Sequence, residues 1–385
     1  MKLFALALDY DGTIAANDRL DPLAREAIAQ ARTRNIAVIL VTGRILDELR
    51  RVAGDLHFVD AVVAENGALL HFPESDHTTH LAPPVPGAFL EELQRQGVPA
   101  RIGHSLIDAD AGLAPQLLQI IRRLELPLVL AFNKGRVMTT LQGISKATGL
   151  RAVLDMLRLS ARNTLAIGDA ENDHELLRLA EVGVAVPWGS ESLRAIADVV
   201  LPGADVAAVA GYVRTLAASG ELPLGSQPRR RLLLGFMEDG REFWLGARGR
   251  NVLIAGDTKS GKSWVAGLLV EQLILLGYSV CVIDPEGDYR SLEALPGVAI
   301  LGGDEPPPNP RQLARALRYP DRSAVIDLSR LPQDEKGIYI RSVLPALNVM
   351  RQHLGLPHRI VIDEAHYFLH GPGGTPLLDL DRQGY

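Results

Sequence analysis

Two aspartates one residue apart, Asp9 and Asp11, sit in the run Asp9-Tyr10-Asp11-Gly12-Thr13, directly behind the apolar stretch Leu3–Leu8. Carboxylates this close repel each other unless a cation or a proton intervenes. Cleavage of a phosphate ester uses both remedies. A divalent cation such as Mg²⁺ keeps one carboxylate ionised as a nucleophile, and the other carries a proton for the leaving alcohol. Gly12 lets the backbone turn sharply toward the phosphate. Three further segments supply what is missing. Thr42-Gly43-Arg44 offers a hydroxyl and backbone N–H groups to phosphate oxygens, Lys146 offers a fixed positive charge, and Gly168-Asp169-Ala170-Glu171-Asn172-Asp173 adds carboxylates for a metal.

A second set begins at Gly256-Asp257-Thr258-Lys259-Ser260-Gly261-Lys262-Ser263, which fits the GxxxxGK[ST] pattern of a phosphate-cradling loop. Loop N–H groups and a helix N-terminus would hold nucleotide phosphates, with Lys262 on the β- and γ-phosphates and Ser263 on Mg²⁺. Arg359-Ile360-Val361-Ile362-Asp363-Glu364 reads as an apolar strand ending in two acids. Asp363 would support the metal, and Glu364 would polarise a water for attack on the γ-phosphate.

Both sets need a scaffold that gathers strand ends. Over the first two hundred residues short apolar runs alternate with amphipathic ones, the pattern of βαβ units around a parallel sheet. Strands are expected at Leu3–Leu8, Ala37–Val41, Ala61–Ala64, Leu165–Ile167 and Val182–Val186. Asp21 and Pro22 form an N-cap and first helical position, and Ala24, Ala27, Ile28 and Ala31 share one helix face. In a doubly wound sheet the C-terminal strand ends converge on one crevice, where Asp9, Thr42 and Asp169 all fall. Residues 73–138 change texture. A polar Pro- and His-containing stretch, helices near Ala88–Gln96 and Pro115–Leu124 and a strand near Leu128–Phe132 suggest an insertion, a lid. Residues 216–231 read as a linker. The βα alternation restarts at Leu232, with a strand over Asn251–Ala255, a helix over Trp264–Leu276 and a further strand over Ala324–Ser329.

Bulk composition narrows the partners. The chain has 385 residues, enough for two or three domains, and its 47% hydrophobic and 22% charged residues suit a soluble globular protein. A net charge of -6 gives no general attraction to polyanions or acidic membranes. Cys281 is the sole cysteine, so no intrachain disulfide forms and a reducing, cytoplasmic setting is expected. The apolar stretch Trp264–Ile283 carries Glu271 and Gln272 and is divided by Gly277, so it is expected to be buried core and not a membrane span.

The first set resembles the haloacid dehalogenase (HAD) superfamily of phosphatases. It is most similar to the Cof-type, class IIB branch, through the position of the insertion, Glu65-Asn66-Gly67 and the Gly168–Asp173 motif. The resemblance covers about residues 1–215. It implies that Asp9 forms an aspartyl-phosphate, that Asp11 protonates the leaving oxygen and later activates water, and that Thr42 and Lys146 bind the phosphoryl group. It places Mg²⁺ on Asp9, the backbone carbonyl of Asp11 and Asp169, with Asp173 close by, and makes Gly43, Arg44 and Asn172 substrate contacts. The short insertion resembles members acting on small phosphorylated metabolites, of the sugar phosphate or phosphoglycolate class. His104, Asp108 and Asp110 lie where they could face that substrate.

The second set is similar to the HerA/FtsK group of P-loop ATPases, through Gly256, Gly261, Lys262, Ser263, the run Val282–Tyr289, Asp363 and Glu364, and a lead-in at Leu234-Gly235 to Gly240. That resemblance implies ATP with Mg²⁺, a homo-oligomeric ring and a DNA or protein partner. It also places a polar sensor and an arginine finger in strands beyond Glu364, where only about twenty residues follow, so this domain is expected to be incomplete at its C-terminus. The expected architecture is α/β throughout. A HAD-like doubly wound parallel sheet (1–72 and 139–215) carries an inserted α+β cap (73–138), and a second α/β P-loop domain (232–385) follows the linker. Two other readings compete. One is a nucleic-acid end-processing kinase–phosphatase, disfavoured by the tandem Asp363-Glu364 and the sizeable cap. The other is a nucleotide-switched scaffold with a phosphatase-like binding domain.

Overall fold

Strand β1 (Ala5–Asp9) is buried at every residue, as an unbroken apolar run must be when helices cover both faces of its sheet. The computed structural model describes residues 1–224, 229–249, 251–257 and 259–366, and these fall into two units. The first is Leu3–Leu157 with Asn163–Gly225; the second is Met1–Lys2, Arg158–Arg162 and Ser226–Tyr385.

In the first unit β1 is joined by β2 (Ala37–Val41), β3 (Ala61–Ala64), β4 (Leu69–Phe72) and β5 (His77–His80). An excursion follows, with strands β6 (Ala100–Ile102), β7 (Ile107–Asp110), β8 (Leu128–Asn133) and β9 (Arg136–Leu141). The chain then returns through β10 (Thr164–Gly168), β11 (Val182–Ala185) and β12 (Val199–Val200). The main sheet runs β12-β11-β10-β1-β2-β3-β4-β5, parallel from β12 to β3, with an antiparallel β4–β5 extension. Asp21 caps helix Pro22–Thr33 by accepting from the Leu23 and Ala24 N–H groups, and the helix buries Ala24, Ala27, Ile28 and Ala31.

The excursion is a separate antiparallel sheet, β8-β9-β7-β6. Helices Gly87–Arg95 and Ala114–Arg123 cover one of its faces, around Phe89, Leu93, Ile107, Leu117, Ile120 and Val137. Its limits differ from the expected 73–138. Residues His77–His80 pair with β4 in the main sheet, and the return strand runs on to Leu141. An exposed edge strand of His and Thr carries no apolar alternation, so the pattern cannot place it. Helix Val206–Ser219 and the buried Leu222 also extend into the expected linker, of which 225–228 lie outside the described residues.

The second unit holds a hairpin, β13 (Arg231–Phe236) and β14 (Glu242–Gly246), and a parallel sheet of β15 (Val280–Asp284), β16 (Val298–Gly302), β17 (Ser323–Asp327) and β18 (Arg359–Ile362). The sheet order is β16-β17-β15-β18. Two expectations need correction. Residues Asn251–Ala255 form no strand; Leu253 is 87% exposed and no ladder joins this segment to β18. An apolar run becomes a strand only where an edge accepts its backbone hydrogen bonds, and this run makes no such pairing. The stretch Trp264–Ile283 is only partly core. Helix Lys262–Leu275 buries Ala266, Leu269, Val270 and Leu273 but leaves Trp264 76% exposed. Among the described residues no helix is long and apolar enough to cross a membrane.

Candidate active site

Register builds the first site. Leu8 lies opposite Leu40 on one side and Ile167 on the other, so β1, β2 and β10 end level with one another. Asp9 closes β1, Thr42 follows β2 and Asp169 follows β10. Lys146, first residue of helix Lys146–Leu157, reaches the same point. Its Nζ donates to Asp9 Oδ1 and to Asp173 Oδ1, both at 2.6 Å, and all three side chains are buried. Asp9, Asp169 and Asp173 each place a carboxylate oxygen within 4.8 Å of the others. Gly12 has φ 78°, and a Cβ there would stand 2.1 Å from Asp169 Oδ2, so only glycine fits.

The charges are far from balanced. Burial pushes the Asp9 carboxyl well above the ordinary carboxylate range; Lys146 opposes that shift, and the charges of Asp173 and Asp169 reinforce it. Asp169 is also raised by burial, against a hydrogen bond from Lys134. Burial works against the charge on Lys146, but Asp173 and Asp9 outweigh it and hold the ammonium above lysine's usual value. Asp9 Oδ2 is buried and has no hydrogen-bond partner. An orphaned carboxylate oxygen among three hard oxygen donors fits a divalent cation such as Mg²⁺.

The other expected residues surround this cluster. Asp11 lies at its rim, where Arg44 grips it with two bonds, Nε to Oδ2 at 2.7 Å and Nη2 to Oδ1 at 2.6 Å. Arg44 also pairs with Asp18, so the guanidinium expected to touch the phosphate is engaged by two carboxylates. Thr42 Oγ1 accepts from Arg44 N at 3.1 Å. Asn172 Nδ2 donates to Asn66 Oδ1 at 3.2 Å and lies 3.5 Å from an ideal Cβ on Gly43. The Met138 sulfur stands 2.9 Å from the same Cβ position, so the face of the excursion sheet that carries Met138 lies against the phosphate loop. Asp108, on the same face, is held by Arg136 at 2.9 Å and by Arg101; His104 uses its backbone N–H on Glu65, and Asp110 caps the Gly112 N–H.

Three contributors escaped the sequence. Lys134, at the β8–β9 turn, pairs with Asp169 from the excursion; Asp18 holds Arg44; Trp188 Nε1 donates to the Gly12 carbonyl at 2.7 Å. A lysine in Asn133-Lys134-Gly135 reads as an ordinary solvated turn, and no local signal distinguishes it.

In the second unit, Gly261 (φ 93°) leads into helix Lys262–Leu275, and Lys262 Nζ donates to the Asp257 carbonyl within the loop at 3.1 Å. A Cβ on Gly256 would meet Ser260 Oγ at 2.5 Å. Ser263 occupies the first turn of this helix, and Thr258 lies outside the described residues, as do residues 367–385. At the end of β18, Asp363 N donates to the Ile283 carbonyl at 3.1 Å, while Glu364 Oε2 pairs with His366 at 3.0 Å. Among the described residues, no hydrogen bond or ion pair joins the 256–263 loop to Asp363 or Glu364. Asp284, in the run Val282–Tyr289, accepts the N–H groups of Glu286, Gly287, Asp288 and Tyr289, so its carboxylate organises the following loop.

A parallel α/β sheet with a carboxylate cluster at its strand ends defines the architecture of the first unit, and its family match makes it a hydrolase of phosphoric monoesters. The chain belongs to the haloacid dehalogenase-like hydrolase family, whose pattern matches residues 6–93 and 100–213, just over half of its length. The phosphoglycolate phosphatase of Methanosarcina acetivorans is 28% identical over 220 residues, covering 52% of this chain and 90% of that protein. The phosphoglycolate phosphatase of Methanopyrus kandleri is 29% identical over 226 residues, covering 54% and 94%. A solved haloacid dehalogenase-like hydrolase from B. subtilis superposes on 56% of this chain and 100% of its own, with 20% identity and a TM-score of 0.46. Residues 248–335 match a second pattern, the central domain of the helicase HerA.

Proposed function

We propose that the first unit hydrolyses a small phosphorylated metabolite, of the phosphoglycolate or sugar phosphate class, with Mg²⁺ and through an aspartyl-phosphate on Asp9. The supporting observation is the buried cluster itself, with Asp9 Oδ2 unpartnered beside Lys146, Asp169 and Asp173. Asp9 attacks phosphorus, and the ester oxygen departs with the proton of Asp11. Asp11 then takes a proton from water as that water displaces Asp9 from phosphorus, releasing inorganic phosphate. Thr42 and the Gly43 N–H receive phosphoryl oxygens, Lys146 offsets their charge, and Asn172 orients the substrate. Arg44, paired with Asp11 in this structure, would exchange that contact for the phosphate when substrate enters. Asp9, the Asp11 carbonyl and Asp169, with Asp173 adjacent, would hold Mg²⁺, which would supply the charge neutralisation that lets the acids coexist. The excursion serves as the lid that excludes water and selects the leaving group. The relatives named phosphoglycolate phosphatase support the substrate class.

The second unit is proposed to bind ATP with Mg²⁺ through Gly256, Gly261, Lys262 and Ser263, with Asp363 supporting the metal and Glu364 as the water-polarising acid. The HerA match over residues 248–335 supports the part of this reading that concerns Gly256, Gly261, Lys262 and Ser263. A DNA or protein partner and a homo-oligomer belong to the same reading.

One experiment tests both halves. Purified chain is assayed for phosphate release from a panel of phosphorylated metabolites, with and without Mg²⁺. Release that depends on Mg²⁺ and favours small substrates is expected, and none from any panel member would reject the phosphatase. Lys262→Ala is expected to abolish binding of a fluorescent ATP analogue and to leave phosphate release within about twofold of wild type, since sites without shared partners behave independently. Loss of both activities would reject the division of labour.

A further inference from the structure

Glu65-Asn66-Gly67 takes no part in the chemistry above, yet each residue touches a different piece of the site. Their φ angles are 50°, 54° and 107°, three successive left-handed residues of which two carry side chains. Such a turn persists only where its surroundings over-determine it. Glu65 N donates to the Arg44 carbonyl at 2.9 Å and Asn66 N to the Thr42 carbonyl at 3.1 Å, tying the turn to the phosphate loop. Asn66 Oδ1 receives Asn172. A Cβ on Gly67 would stand 1.9 Å from the Ser145 carbonyl oxygen, so glycine lets the turn lie against the residue before Lys146.

The Glu65 side chain points the other way, into the excursion. Its buried carboxylate accepts the N–H of His104 at 3.0 Å through Oε1 and that of Ser105 at 2.8 Å through Oε2, in the turn between β6 and β7. Gly103 is pressed against it; a Cβ there would lie 2.8 Å from the carboxyl carbon. The same turn holds the segment by which the chain leaves the main sheet. Ser105 Oγ donates to the Ala82 carbonyl at 3.0 Å, and the His104 carbonyl accepts from Val85 N at 2.8 Å.

We propose that Glu65 is a positioning residue for phosphate-ester hydrolysis: its carboxylate locks the 103–106 turn of the excursion to the Thr42–Arg44 loop, setting the register in which the lid meets the substrate. Two N–H bonds to one buried carboxylate are charge-assisted and strong for their size. Replacing an oxygen with an NH₂ group leaves one buried donor facing another, which breaks the joint at a single atom. Glu65 acts through the lid, so its loss falls on substrate binding more than on the chemical step. The proposal rests on the reading of the first unit as a phosphatase with a lid.

The test uses Glu65→Gln, Gly103→Ala, which forces the same contact apart from the lid side, and the double variant. Each single change is expected to raise KM for the best panel substrate about tenfold, with kcat within about threefold, as expected for a displaced binding element. The double variant should be no worse than the worse single one, because both break one contact. Hydrogen–deuterium exchange at the His104 and Ser105 amides, which needs no substrate, should quicken about tenfold in Glu65→Gln as their hydrogen bonds are lost. Unchanged KM in the folded variants, multiplying effects, a fall in kcat at constant KM, or unchanged amide exchange would each overturn the proposal. Should Glu65→Gln fail to fold, Gly103→Ala decides by the same KM criterion. An inactive wild type would strike down the phosphatase reading itself, whereas an active wild type with variants of unaltered KM strikes down this proposal alone.

Discussion

Asp9→Asn is expected to lower Mg²⁺-supported phosphate release by on the order of 10⁴-fold or more, the scale of removing the nucleophile from a covalent mechanism. The amide matches the carboxylate in shape but carries no charge with which to attack phosphorus. The fold should not suffer. Burial holds the Asp9 carboxyl well above its ordinary range, with Lys146 opposing and Asp173 and Asp169 adding to the shift. A neutral amide removes that desolvation cost and leaves Lys146 paired with Asp173. A thermal melt in metal-free buffer at neutral pH should therefore match wild type or lie above it, an exchange of activity for stability common at catalytic groups. Turnover close to wild type would remove Asp9 from the role of nucleophile. A large drop in melting temperature would show that its charge is structural.

Lys146→Met should cost activity and stability together. One ammonium serves both Asp9 and Asp173, so its removal leaves two buried carboxylates without their shared cation. Deleting one partner of a buried ion pair costs about 3–5 kcal/mol, and losing a preorganised charge at the phosphoryl group costs about 10²–10³-fold in kcat/KM. The pH dependence has a definite sign. A carboxyl whose folded pKa is raised favours the protonated fold, so its stabilising contribution is complete below the unfolded value near 4 and is lost as pH rises through the folded value. Asp9 is already raised, and losing Lys146 raises it further. The stability deficit of the variant should therefore be smallest in acid, where Asp9 is protonated in both folds, and grow only as pH rises above the raised folded value of wild-type Asp9, where wild type ionises it beside Lys146 and the variant keeps it protonated. Denaturant melts across that range, in the presence of a chelator, measure it. A deficit that does not vary with pH would mean that Lys146 contributes packing and not charge.

Much of the first unit was legible before any coordinates. Ala37–Val41 and Ala61–Ala64 are strands to the residue, and the helix after Asp21 buries the four residues its periodicity selects. These segments are apolar runs in a parallel sheet or an amphipathic helix with a cap, patterns a single sequence carries strongly. The convergence of Asp9, Thr42 and Asp169 was legible for the same reason, because each follows such a strand, whereas Lys146 begins a helix that the pattern did not single out. The second unit was read less well. Asn251–Ala255 has the composition of a buried strand and lies exposed, since composition reports a preference for burial and not the presence of a pairing edge. His77–His80 is the converse, a strand with no apolar signal that is held in place by its ladder to β4.

From residue order alone came the parts whose physics is local: which segments hide from water, where the first helix starts, and which acids and hydroxyl end up at strand termini. Distance in the chain defeats that logic. Lys134 reaches Asp169 across 35 positions, Arg44 holds Asp11 across 33, and Glu65 grips the Ser105 N–H across 40. None of these partners is encoded near its mate. Each pairing exists because the fold brings distant segments together, two of them from the excursion and one from the loops after neighbouring strands, where burial makes an unsatisfied charge or donor costly enough to select the group that arrives opposite it.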